Sequence, residues 1–286
     1  MLAIDHRQNL RKALGHEATE DDLVHFKLDV IAALGPAASA TLTDPEYGAA
    51  QAIASGAIAG TRGLVVAVEA TGYVDDAAGR VSRVVEGWSV EQAARLGADG
   101  VKLLVYYHPD ADNAPQQEEL VSIVAAECRE YDLPLFLEPL SYALGDEPLT
   151  STEFTDVVVE TAHRLTPIGG DILKVEFPSR ATNAEDWAEP LITLDRASAL
   201  PWVILSGGVA FDVFETQASA AAAAGCCGVM VGRAVWKDAV TLANIRRGTF
   251  LRGEAVTRLT RLQSIAGPGW HDRAPTIPLP SPSWFR

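Results

Sequence analysis

Two lysines stand where an apolar strand should run uninterrupted. Lys102 breaks the run Gly-Val-Lys-Leu-Leu-Val-Tyr-Tyr, and Lys174 breaks Asp-Ile-Leu-Lys-Val-Glu-Phe-Pro. The chain holds only five lysines (12, 27, 102, 174 and 237) among 23 basic residues, so two of them inside such runs ask for a reason. Strand side chains alternate between faces, which sends Leu173 and Val175 one way and Lys174 and Glu176 the other. Burial disfavours the charged form of an amine, and a second ammonium nearby adds repulsion. An amine in such a place is available to attack a ketone and form a Schiff base. The other reading is a core ion pair between Lys174 and Glu138 or Asp5.

Carboxylates fall at the ends of similar runs: Asp5 in Leu-Ala-Ile-Asp-His-Arg, Glu69 before Ala-Thr, Glu138 in Leu-Phe-Leu-Glu-Pro and Glu176 after Lys174. Schiff-base carbon–carbon cleavage needs a group that shuttles protons through a carbinolamine. It also needs one that takes the proton of a hydroxyl becoming a carbonyl. Glu138 and Asp5 are the candidates, and Glu69 and Glu176 read better as structural partners. The six histidines show no close ligand pair, so neither a metal nor another cofactor is expected.

The elements that would position these groups are short runs rich in Val, Ile and Leu. They are 2–5, 40–44, 63–69, 100–106, 135–138, 171–176, 202–206 and 228–231, starting 23 to 38 residues apart. Helical patterns lie between them, at 21–34, 47–59, 90–96, 116–131, 151–165, 185–199 and 211–224. Continuous apolar strands alternating with helices mean a parallel sheet covered on both faces. A doubly wound sheet would carry Gly-x-Gly-x-x-Gly after its first strand, and this chain does not. Candidate chemistry spread over many strand ends fits a (β/α)8 barrel, a TIM barrel, whose active site gathers at the C-terminal ends of the strands. There Ser206-Gly207-Gly208 and Gly232-Arg233 follow the seventh and eighth strands. Such turns expose backbone N–H groups, and Arg233 adds a guanidinium, a combination that holds phosphate.

One barrel over residues 1–266 is expected, followed by a tail at 267–286 with five prolines, ending in Trp284 and Phe285. The tail is either packed or unstructured, or an arm that clamps a neighbouring subunit. The first strand begins at Leu2, which leaves the bottom of the barrel open, closed by a partner, or covered by a longer N-terminus. A homo-oligomer follows as an expectation. The net charge of −15 speaks against nucleic acid and anionic membrane surfaces as partners. Three cysteines, no leader pattern and no long apolar run point to a cytoplasmic protein.

With these residues in order, the chain resembles the class I tagatose-1,6-bisphosphate aldolases and the related sulfofructose-phosphate aldolases. The runs that carry the resemblance are Leu-Ala-Ile-Asp-His-Arg at 2–7, Phe-Lys-Leu-Asp at 26–29, Thr-Gly-Tyr at 71–73 and Val-Lys-Leu-Leu-Val-Tyr-Tyr at 101–107. They continue with Phe-Leu-Glu-Pro-Leu-Ser-Tyr at 136–142, Leu-Lys-Val-Glu-Phe-Pro at 173–178, Pro-Trp-Val-Ile-Leu-Ser-Gly-Gly-Val at 201–209 and Val-Gly-Arg-Ala-Val-Trp at 231–236. The resemblance implies a Schiff base on Lys174, proton transfers by Glu138, and assistance from Asp5 and Lys102. It implies a phosphate held by Ser206, Gly207, Gly208, Gly232 and Arg233, with Arg7 reaching a second anionic group. The products would be dihydroxyacetone phosphate and a three-carbon aldehyde. His6 stands where the family usually has glutamine, at a position that faces substrate. The partner is then a sugar phosphate or a sulfosugar phosphate, and the residues do not choose between phosphate and sulfonate at carbon 6. A barrel that binds sugar phosphates without catalysis is the remaining alternative.

Overall fold

A computed structural model describes residues 1–15, 17–269 and 271. Eight strands lie parallel in chain order, and we number them β1 (Leu2–Ala3), β2 (Ala40–Thr43), β3 (Gly63–Ala67), β4 (Gly100–Tyr106), β5 (Leu135–Leu140), β6 (Ile172–Val175), β7 (Trp202–Leu205) and β8 (Val229–Met230). The last strand returns to the first. Ala3 N–H donates to Val231 O at 2.8 Å, Val231 N–H donates to Met1 O at 3.0 Å, and Leu2 bridges Val231 in parallel. The chain therefore folds as the expected (β/α)8 barrel.

The alternation that defines the barrel is visible strand by strand. Leu103, Val105 and Tyr107 of the β4 segment pack outward with Val121, Val124 and Leu165 of the surrounding helices. Leu173, Val175, Trp202 and Ile204 do the same on the other side, against Phe154, Val158, Leu194 and Phe214. Ala3, Leu42, Val65, Ala67, Phe136, Val203 and Met230 form a third, smaller cluster inside the barrel. Because both strand faces are covered, the strands read as continuous apolar runs in the sequence.

The expected helices are present, with shifted ends. They include Glu20–Leu34, Val90–Leu96, Ala114–Glu130, Ser151–Leu165 and Phe211–Ala223. Thr19 with Asp22 and Thr150 with Glu153 form reciprocal capping boxes that set two of the starts. The segment expected to be helical at 47–59 yields only Ala49–Ala54, and 185–199 splits into a 3-10 turn and Ala188–Ala197. Features beyond the sequence reading include a helix at Gln8–Leu14, a two-stranded antiparallel hairpin (Val74–Asp76 with Gly79–Val81), short helical turns over 233–241, and helical structure over 244–269. That last stretch continues past residue 267, where the barrel was expected to give way to the tail. Residues 272–286, on which most of the tail expectation falls, lie outside the described residues.

At the N-terminal end of the barrel is a cavity of about 1250 Å³. Met1, Phe136, Val203 and Val229 contribute to its wall, with Leu259 and Leu262 of the last helix. No helix among the described residues is long and apolar enough to cross a membrane.

Candidate active site

The opposite end of the barrel gathers the titratable groups. Lys102 and Lys174 are 1% and 4% exposed. Both point into the lumen, as the outward packing of Leu103, Leu173 and Val175 requires. The Lys102 ammonium lies 3.0 Å from Asp5 Oδ2, 2.7 Å from Glu69 Oε1 and 2.7 Å from Glu138 Oε2. Lys174 Nζ lies 2.8 Å from the other oxygen of Glu138, Oε1. Glu138 thus joins the two lysines, and Asp5, Glu69, Lys102, Glu138 and Lys174 form one continuous network drawn from five strand segments.

Register explains the convergence. Lys102 pairs with Phe136 and Leu104 with Glu138 across β4 and β5, while Lys174 pairs with Val203 across β6 and β7. Lys102 stands in register with Phe136, one pleat below Glu138, and its ammonium reaches along the lumen to the carboxylates at the strand ends. Leu104 N–H donates to Glu69 Oε2 at 3.1 Å, which fixes that carboxylate beside the Lys102 ammonium.

Electrostatics sorts the members. Burial would lower the Lys102 ammonium, but Asp5, Glu138 and Glu69 outweigh it and hold the group charged well above the usual lysine range. Burial would raise Asp5, yet Lys102, Lys174 and His6 hold it well below the usual carboxylate range. Glu69 is raised, burial prevailing over the pull of Lys102. Glu176 is also raised by burial, although it accepts a 2.8 Å hydrogen bond from Ser141 N–H. Lys102 is consequently a saturated cation, whereas Lys174 touches one carboxylate.

Arg7 follows on β1. It is buried, donates to Glu46 Oε2 at 2.7 Å and to Glu69 O at 2.5 Å, and lies 3.8 Å from Glu69 Oε1. His6 turns the other way, edge-on to Trp236 with ring centroids 5.3 Å apart. Burial holds its imidazole down to about 4 against the opposing pull of Asp5, with Arg233, Lys174 and Lys27 adding to the depression.

The two glycine turns meet at Arg233. A Cβ at Gly208 would lie 3.0 Å from the Arg233 guanidinium carbon, and the φ of +89° there also requires glycine. At Gly232 a Cβ would lie 2.9 Å from Ala3 O and 3.2 Å from His6, so only glycine lets the β8 loop close over β1. Trp236 Nε1 fastens that loop by donating to Ala3 O at 2.9 Å. Ser206 is buried at the β7 end, where its carbonyl accepts from Val209 N–H at 3.1 Å. Ser206, Gly207, Gly208, Gly232 and Arg233 thus line adjacent loops.

One buried charge escaped the sequence reading. Lys27 is fully buried, donating to Ile4 O at 2.7 Å and pairing with Asp44 Oδ2. Asp44 in turn accepts from the N–H groups of Glu46 and Tyr47. The signal was present: Lys27 shares the apolar helix face of Leu23, Phe26, Val30 and Ile31. The pair braces the end of β1 immediately before Asp5. Among the described residues no group of three or more His, Cys, Asp or Glu side chains is placed to hold a metal ion.

Comparison with known proteins identifies the family. Residues 1–238 match the DeoC/LacD family aldolase model. Tagatose 1,6-diphosphate aldolase 1 of Enterococcus faecalis (strain ATCC 700802 / V583) is 35% identical over 262 residues, covering 84% of this chain and 80% of that protein. The enzyme of the same name from Streptococcus pyogenes serotype M1 is 32% identical over 268 residues, covering 84% and 81%. Among solved structures, an archaeal fructose 1,6-bisphosphate aldolase superposes with a TM-score of 0.61 at 19% identity, covering 93% of this chain and 92% of that one. Fructose-bisphosphate aldolase from Plasmodium falciparum gives 0.75 at 15% identity, covering 94% and 90%. The chain belongs to the DeoC/LacD family and is an aldolase, a carbon–carbon lyase.

Proposed function

We propose that the protein cleaves a ketose 1-phosphate bearing a second anionic end, through a Schiff base on Lys174. The reading rests on the position of that amine: it is buried in the lumen 2.8 Å from Glu138, whose other oxygen is engaged by Lys102. A Schiff-base nucleophile needs an adjacent group that gives and takes protons, and this one has it.

The steps follow from that pairing. Glu138 takes a proton from the Lys174 ammonium, the freed amine attacks the C2 carbonyl, and Glu138 returns that proton to the departing hydroxyl of the carbinolamine, leaving an iminium and water. Loss of the C4 hydroxyl proton to Glu138 breaks the C3–C4 bond, and the electron pair enters the iminium to form an enamine. The three-carbon aldehyde departs, the enamine is protonated at C3, and water releases dihydroxyacetone phosphate. Asp5, held ionised, and Lys102, held charged, keep the local field constant while charge moves between Lys174 and Glu138. The 1-phosphate lies against Ser206, Gly207, Gly208, Gly232 and Arg233, where backbone N–H groups and a guanidinium serve an anion.

Borohydride reduction in the presence of dihydroxyacetone phosphate tests the reading. A stable mass on the peptide containing Lys174 is expected, and Lys174→Met abolishes both label and cleavage. Label on another residue, or cleavage surviving in Lys174→Met, overturns it.

A further inference from the structure

Arg80 sits in a setting that the chemistry above does not use. It lies on the return strand of the hairpin that follows β3, opposite Asp75 in register. Its guanidinium carbon is 4.3 Å from the Tyr73 ring centroid, 4.8 Å from that of Tyr142 and 5.8 Å from that of Tyr106. Tyr73 and Tyr106 meet edge-to-face with centroids 4.6 Å apart. No hydrogen bond or ion pair among the described residues engages the guanidinium, and Asp75 makes none with it despite the shared register. Cation–π contact draws on the guanidinium charge without supplying acceptors for its N–H groups, and those groups match the oxygens of a phosphate or sulfonate.

The cage is anchored to the mouth of the barrel. Asn113 Nδ2 donates to Arg80 O at 2.9 Å, and Arg80 N–H donates to Tyr142 Oη at 3.2 Å. A Cβ at the neighbouring Gly79 would fall 2.5 Å from Asn113 Oδ1 and 2.6 Å from Tyr142 Oη, so the turn seats directly on these two side chains. Tyr106 shares a strand face with Lys102, four residues and about 13 Å further toward the open end. Its phenol is raised, chiefly by burial and then by Tyr73. Arg7, expected from the resemblance to reach a second anionic group, donates to Glu46 Oε2 and Glu69 O.

We infer that Arg80, held among Tyr73, Tyr106 and Tyr142, binds the anionic group at the far end of the ketose and sets the preference for doubly anionic substrates. This rests on the proposed Schiff-base reading for its place in the reaction, but its binding claim can be measured without chemistry. Calorimetry with hexitol 1,6-bisphosphate and hexitol 1-phosphate, which have no carbonyl and form no imine, supplies that measurement. Arg80→Gln should weaken the bisphosphate roughly 10- to 100-fold and leave the monophosphate within about twofold. Arg80→Lys, which keeps the charge without the fork, should fall between.

In turnover, KM for the doubly anionic ketose should rise by a similar factor in Arg80→Gln, with rates on fructose 1-phosphate unchanged. Running fructose 1,6-bisphosphate beside 6-deoxy-6-sulfofructose 1-phosphate identifies which anion Arg80 prefers, from the larger loss. Equal weakening of both hexitols, or of neither, overturns the inference. Absence of a borohydride-trapped Lys174 adduct in the wild type would instead count against the Schiff base and leave the calorimetric result standing.

Discussion

Along β5, Phe136 lines the cavity at the N-terminal end of the barrel, and Glu138, one pleat further on, joins Lys102 to Lys174. Along β6 the same step leads from Ile172 in the cavity wall to Lys174. On these two strands one pleat, about 6.7 Å, separates an apolar side chain of the cavity wall from a member of the ionic network. The network side chains are themselves buried, Lys102 and Lys174 being 1% and 4% exposed, so their charges interact at a lower effective dielectric than in water. Deprived of water, those charges must satisfy one another, and every amine and carboxylate of the network does so. The two ends therefore differ in what holds them, apolar contact at one and mutual ion pairing at the other, so substitutions at the two ends should fail differently.

The sharpest break is between the two neighbours on β5. Glu138→Gln should lower kcat by about 10²- to 10⁴-fold, the usual contribution of a positioned proton-transfer group. Phe136→Ala should leave kcat within about twofold while lowering the melting temperature. Steady-state kinetics and thermal melts on the two variants decide this, and a comparable kcat loss in Phe136→Ala would erase the division between layers. The stability loss there should stay at or below about 3 kcal/mol, because the site already faces an open cavity and less new void is created than in a closed core.

Lys102 tests the ionic layer from within. Lys102→Met strands Asp5, Glu69 and Glu138 without their shared cation and should cost about 3–5 kcal/mol, read from denaturant unfolding. Adding Glu69→Gln should recover part of that loss, since it removes one of the stranded charges. No recovery would mean that Lys102 matters for packing rather than for charge. Its elevated pKa gives a further sign to check. The stabilisation from Lys102 is fully present below the unfolded lysine value of about 10.4 and should disappear only as the pH rises beyond it.

The sequence revealed the ionic layer because charges interrupt apolar strands. Lys102 and Lys174 were visible as breaks in runs buried on both faces, and alternation alone sent Leu173 and Val175 to the helices. Lys27 was harder to see because an amphipathic helix tolerates a lysine at the margin of its apolar face, and only the folded chain shows the amine against Ile4 O and Asp44. Arg80 was invisible for another reason. Its cage draws Tyr73, Tyr106 and Tyr142 from loops and strand ends separated by 33 and 36 residues, and no local pattern encodes such a meeting. The short hairpin that carries Arg80 has exposed residues on its first strand and leaves no apolar signature.

The smallest effect should come from His6, which packs between the ionic network and Trp236. Its imidazole is held down to about 4, chiefly by burial, while an unfolded chain titrates near 6.5. Between those values the unfolded state binds a proton that the native state refuses, so stability falls as the pH drops from about 6.5 toward 4. The slope cannot exceed about 1.4 kcal/mol per pH unit, and from pH 7 to pH 5 the loss from this group should reach about 2 kcal/mol. Asp5 does not contribute in that window. Its depressed pKa protects the fold above the unfolded carboxylate value near 3.9, and that protection is withdrawn only at lower pH. His6→Gln, which installs an amide that does not titrate, should therefore flatten the denaturation profile between pH 7 and 5 and leave its acid limb below pH 4 in place. An unchanged slope in His6→Gln would assign the acid sensitivity to other groups and place His6 outside the electrostatic reach of the network.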